Sequence, residues 1–163
     1  MTAEEVLAYR VDKSTWERGP WDNEPDRVDF IHAGLPCLAL RHPEHGSWCG
    51  YAAVPPGHPL YEKSAFNIDL DVDARLNYSD FCGGAICHIP QPGAPDNVWW
   101  FGFDCGHFRD ISPGRDARLR SIPGGEALLL LEREPGIFRA VYRDLSYVRH
   151  VIEELAEALA AAA

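Results

Sequence analysis

Apolar residues at Val141, Leu145, Val148, Ile152, Leu155 and Leu159 recur at spacings of 4, 3, 4, 3 and 4, the repeat of one helical face. The pattern predicts a C-terminal amphipathic helix over 138–160, of about six turns at 3.6 residues per turn. Pro135-Gly136 breaks the chain ahead of it, and Arg149 and Glu153, four apart, support its outer face. Such a helix needs a surface to cover. Upstream, Val28–His32, Pro36–Arg41 and Ser47–Val54 form short runs separated by Ala33-Gly34 and by His42-Pro43-Glu44-His45-Gly46. Strands joined by connections this short predict an antiparallel meander.

The rest of the chain predicts smaller pieces. A short helix is expected at Ala3–Tyr9 within an otherwise irregular segment 1–27, where Trp16 and Trp21 flank Gly19-Pro20. Tryptophans in such a turn-rich stretch pin it to the body of a domain. A helical piece is expected at Pro59–Ser64 and further strands at Phe66–Val72, Phe81–Ile89 and Asn97–Cys105, the last two joined by a proline-rich loop at 90–96. Residues 110–125 read as a long loop or flap, and Ala127–Glu132 as either the start of the final helix or a strand. The expectation is an α+β fold in one domain, 1–163, with a mostly antiparallel, meander-like sheet packed by the long C-terminal helix.

Composition narrows the function classes. The 163 residues are 46% hydrophobic, and no apolar run approaches the roughly 20 residues needed to cross a bilayer. The N-terminus is acidic and lacks the apolar stretch of a signal peptide. A cytoplasmic protein without a membrane partner is expected. Five cysteines, an odd number, then predict free thiols in a reducing compartment. Acidic residues outnumber basic ones 25 to 15, giving a formal charge of −10, which argues against binding bulk nucleic acid. Arg109, Arg115, Arg118 and Arg120 form the one basic cluster, compatible with a small anionic ligand.

Candidate chemistry concentrates in 82–110, with three cysteines, two histidines and two tryptophans. Three readings compete. Cys82, Cys87, Cys105 and His107 could ligate zinc, although Cys-x4-Cys and Cys-x-His match no strong zinc signature and the metal is not favoured. His88 and His107, with Asp104 as an orienting acid, could move protons in a catalytic site. Trp48, Tyr51, Trp99 and Trp100 could offer flat surfaces to a nucleotide-like or other small polar ligand, with Arg109 meeting its anionic group. No G-x-G-x-x-G or P-loop motif is present, and nothing decides whether the protein is an enzyme. The bland alternative makes the histidines hydrogen-bonded strand ends and the aromatics core.

The strings GLPCLALRHPEHGSWCGYAAVPPGHPLY, ICHIPQPGAPDNVWWFGFDCGHFRDISPG and YRDLSYVRHVIEELAEAL resemble a family of small uncharacterised proteins encoded by bacteriophages, prophages and some bacterial genomes. The resemblance spans about Gly34 to Leu159. It brings no catalytic assignment. It implies an accessory protein in the host cytoplasm, acting in evasion of host defence by binding or hydrolysing a nucleotide-like ligand, or by blocking a host protein. The short connection Asp80–Ala85 departs from the family's pattern and weighs against Cys82 as a metal ligand.

Overall fold

The computed structural model describes residues 3–87, 96–134 and 139–163. The chain begins with α1 (Ala3–Leu7) and then lays down β1 (Arg27–His32), β2 (Leu35–Arg41) and β3 (Trp48–Val54). Two further strands follow, β4 (Tyr78–Phe81) and β5 (Trp99–Asp104), and then three helices, α2 (Pro113–Arg120), α3 (Gly125–Arg133) and α4 (Leu145–Ala161). The five strands make one antiparallel sheet in the order β1-β2-β3-β5-β4. The α+β expectation holds, with the meander confined to β1–β3. Ala33 and Gly34 both take positive φ, 49° and 78°, which closes the β1–β2 connection in two residues.

Strand alternation divides the core in two. On one face Cys37, Ala39, Ala52, Val54, Phe101 and Phe103 pack beneath Val148, Val151, Ile152, Leu155 and Leu159 of α4. Gly50 leaves room for the helix, and a Cβ there would sit 2.7 Å from Ile152 Cγ1. The opposite face carries a second cluster of Leu38, Leu40, Cys49, Tyr51, Ala53 and Trp100, closed over by Tyr9, Cys82, Ala85 and Ile86. This second buried face explains why β3 is buried at all seven positions, as for a strand covered on both sides.

The N-terminal segment is fastened by charge as well as by tryptophan. Trp21 is buried and packs edge-on against Tyr142, with ring centroids 5.1 Å apart. Arg41, fully buried, donates to Asp26 Oδ1 at 2.7 Å, Glu24 Oε2 at 2.8 Å, Gly46 O at 2.8 Å and Tyr142 Oη at 2.9 Å. Its guanidinium lies 4.4 Å from the centroid of the Trp48 ring. Glu24 Oε1 accepts the backbone N–H of Leu145 at 2.9 Å, so one carboxylate ties the N-terminal segment to the start of α4.

Several expected elements move. The helical piece at Pro59–Ser64 is a run of turns, and Phe66–Val72 is a short 3-10 turn followed by irregular chain. The strand expected over Phe81–Ile89 does not form in its described part: β4 ends at Phe81, 82–87 turn through a bridge between Gly83 and Ile86, and 88–89 lie outside the described residues. Residues 110–125, expected as a loop or flap, contain α2, and 125–133 forms α3. The C-terminal helix begins at Leu145 rather than 138, because Val141 makes a parallel bridge to Asp110 instead of a helical turn. Among the described residues no helix is long and apolar enough to cross a membrane.

Candidate functional site at the end of strand β5

Past Asp104 the chain leaves the sheet in a tight turn, with the Asp110 N–H donating to His107 O at 2.8 Å. The Asp110 carboxylate folds back to accept the His107 N–H at 3.1 Å, leaving Oδ2 3.5 Å from His107 Nδ1. Ile111 and Val141 then hydrogen-bond, as do Val141 and Arg109, each at 2.9 Å. That short parallel bridge carries Arg143 alongside, where Nε donates to Asp110 Oδ1 at 3.1 Å. The Arg143 guanidinium also covers Tyr147 of α4, 4.5 Å from the ring centroid.

His107, Asp110, Arg143 and Tyr147 line an open cleft of about 370 Å³ between the end of β5, the 73–75 segment and the start of α4. Asp73, Arg75, Asp104, Arg109 and Phe108 complete the polar and apolar wall. Three arginines face three aspartates, so the lining is neutral overall and gains one charge when His107 is protonated. His107 is more than half exposed, whereas Asp110 is nearly buried between it and Arg143. The arrangement can present an imidazole with a fixed acidic neighbour to a ligand, and its guanidinium groups suit carboxylate or phosphate oxygens. Burial pushes up the Tyr147 hydroxyl and the Cys105 thiol on the same wall, so both enter as neutral groups.

The sequence-derived candidates separate. Asp104, His107 and Arg109 meet in this cleft. Asp104 is the weaker partner of His107, 4.0 Å from Nδ1. Its carboxylate is occupied by the Gly106 N–H at 2.8 Å and by the Asn77 side-chain amide. Asp110 takes the orienting place instead. His88 lies outside the described residues.

Three of the four ligand-stacking aromatics are corrected by burial. Trp48 and Trp100 are buried to 0% and 1% exposure. Trp48 donates to Glu24 Oε2 at 3.2 Å and Trp100 to Cys82 Sγ at 3.4 Å. Tyr51 is buried in the second core, where burial raises its hydroxyl pKa. Trp99, on the other face, packs at 4.8 Å against Phe81 and donates to Lys63 O at 3.0 Å. Trp48, Trp100 and Tyr51 are therefore packing elements, with their polar tips satisfied internally, whereas Trp99 is only partly buried.

The zinc set is not assembled either. Cys82 and Cys87 form a disulfide, which also corrects the expectation of five free thiols. Phe81 pairs with Trp99, so Cys82 sits at the start of β5. Cys105 follows its other end, about 20 Å away at 3.3 Å per residue. Among the described residues no group of three or more His, Cys, Asp or Glu could hold a metal ion.

The turn is marked by its own local sequence, but its distant walls are not. Asp110 stands three residues after His107, a spacing visible in the sequence. Asp73, Arg75, Arg143 and Tyr147 are brought in by chain folding alone, and no local pattern marks them. Fold and cleft together define an α+β protein with an antiparallel sheet backed by one helix and a polar notch at one strand end. No protein-family model matches the chain, and neither curated proteins nor solved structures gave a match.

Proposed function

We propose that the protein binds a small, polar, nucleotide-like ligand in the cleft at the end of β5. The observation that carries this reading is the convergence of His107 and Asp110 with Arg75, Arg109 and Arg143 around one open space. The arginines would meet the ligand's anionic group and His107 would exchange a proton with it. Whether the proton exchange ends in hydrolysis is decided by product formation. The resemblance to phage-encoded proteins would put that ligand among the nucleotide signals of host defence.

The test is a titration with nucleoside monophosphates, diphosphates and cyclic nucleotides, followed through the His107 ring resonances, with product analysis in parallel. Binding should move those resonances and weaken at least tenfold in Arg109→Ala, about 1.4 kcal/mol. An enzyme forms product that His107→Ala does not. If no compound moves the His107 signals at millimolar concentration, the reading is wrong.

A protein-blocking role is the second reading, and one observation favours it. On α3, Leu128, Leu130 and Leu131 are 52%, 62% and 71% exposed, and exposed leucines grouped on one short helix suit a protein partner. In that case Leu131→Asp abolishes capture of a stoichiometric host partner, whereas His107→Ala leaves it intact.

A further inference from the structure

Beyond the end of β4 the chain makes a miniature hairpin. Gly83 and Ile86 exchange two backbone hydrogen bonds, each 3.0 Å, around Gly84-Ala85. Gly84 has a φ of +56°, the conformation that such a two-residue turn requires. Cys82 and Cys87 flank the hairpin, with Cα atoms 4.6 Å apart, and their disulfide closes it. The closed loop lies over the second core. Cys82, Ala85 and Ile86 pack against the cluster that contains Leu38, Ala53 and Trp100.

The loop is also held from the far edge of the sheet. Arg27 of β1, its side chain only 4% exposed, donates to the carbonyls of both Ala85 and Cys87. Asp29 fixes that guanidinium with two bonds of 2.7 Å. Residues 82–87 therefore form a strap from the β4 edge to the β1 edge. Both cysteines of the strap are half-buried, whereas Cys37, Cys49 and Cys105 are buried.

We propose that Cys82 and Cys87 are a reversible redox couple that locks and releases the strap over the second face of the sheet. The electron donor is a cellular thiol or dithiol. Its thiolate attacks one sulfur of the pair, the Cys82–Cys87 bond breaks, and a mixed disulfide forms as the other cysteine leaves as thiolate. A second donor thiol then displaces the remaining cysteine. Two electrons and two protons pass to the protein, and the donor ends as a disulfide. Two features favour a labile rather than an inert bond. Both cysteines are only half-buried, and Trp100 Nε1–H, 3.4 Å from Cys82 Sγ, favours that sulfur leaving as thiolate.

Closing a loop whose ends are 5 residues apart restricts the open state enough that reduction should raise local opening about 30-fold. The full chain is incubated in buffers of graded reduced-to-oxidised glutathione ratio, then alkylated and mapped by mass spectrometry. In parallel, amide hydrogen exchange is followed at Gly83 and Ile86. The expected result is reduction of Cys82 and Cys87 alone in the native protein, reversal by oxidised glutathione, and exchange at both amides about 30-fold faster when reduced. The Cys82→Ser/Cys87→Ser double variant should show the fast exchange without reductant and ignore glutathione. A bond that survives excess reduced glutathione while the fold is intact overturns the proposal. So does a double variant whose amides exchange as slowly as those of the oxidised protein. Neither outcome bears on the cleft at the far end of β5, so this inference and the ligand-binding reading stand or fall separately.

Discussion

Replacing Arg41 by methionine tests whether the buried charge cluster is what fastens the N-terminal segment to the sheet. Methionine keeps much of the volume and removes the cation. Four hydrogen bonds of 2.7–2.9 Å disappear with it, and two carboxylates remain behind. Asp26 keeps Lys13 at 2.7 Å and the Val11 N–H at 2.9 Å. Glu24 keeps Tyr142, Trp48 and the Leu145 N–H. Breaking a buried pair costs about 3–5 kcal/mol, and the surviving partners place this case near 3. With an m-value of about 2 kcal/mol/M, the urea midpoint at pH 7 should fall by about 1.5 M.

The pH dependence carries a second sign. Burial pushes Asp26 and Glu24 upward, but hydrogen bonding outweighs it, led by Lys13 for Asp26 and Tyr142 for Glu24, so both end below ordinary carboxyl values. Their contribution is present above the unfolded pKa of about 4 and is lost as pH falls through the lower folded values. Without Arg41 the folded-state values rise, so the variant loses less on acidification and the gap to the parent should narrow. A midpoint shift below about 0.5 M at pH 7, or a gap that widens in acid, would refute the reasoning.

Gly50→Ala places a methyl group against the Phe103 ring and 2.7 Å from Ile152 Cγ1, and should cost about 1–3 kcal/mol by the same urea assay. Asp144 caps α4, accepting the Tyr147 N–H at 2.8 Å, so Asp144→Ala should lower stability by about 1 kcal/mol without changing the m-value. Burial raises the Cys37 thiol to about 12 and the Cys49 thiol to about 11, and raises Cys105 as well. These three should therefore resist iodoacetamide at pH 8 in the native protein and react on unfolding, as counted by intact mass. Rapid native alkylation of any of them would contradict the buried assignments.

The sequence by itself determined the elements whose signal is local. The 3-4 spacing from Leu145 to Leu159 depends only on helical geometry, and α4 follows it, with Arg149 and Glu153 paired at 3.1 Å. The β1–β3 meander was equally legible, because Ala33-Gly34 and 42–46 are too short for any other connection. The turn at 104–110 was legible as a concentration of polar groups at a strand end. Tertiary structure decided what each side chain faces. Trp48 and Trp100 became core rather than ligand platforms because both faces of the sheet are covered, and coverage is not a property of one strand. Register decided the cysteines: with Phe81 opposite Trp99, Cys82 is nearer Trp100 than Cys105, and a disulfide replaces a metal site. Folding also brought Arg143, 33 residues downstream, onto Asp110. Local spacing reports backbone geometry, whereas a binding cleft is made by chain closure over long separations, which no local pattern encodes.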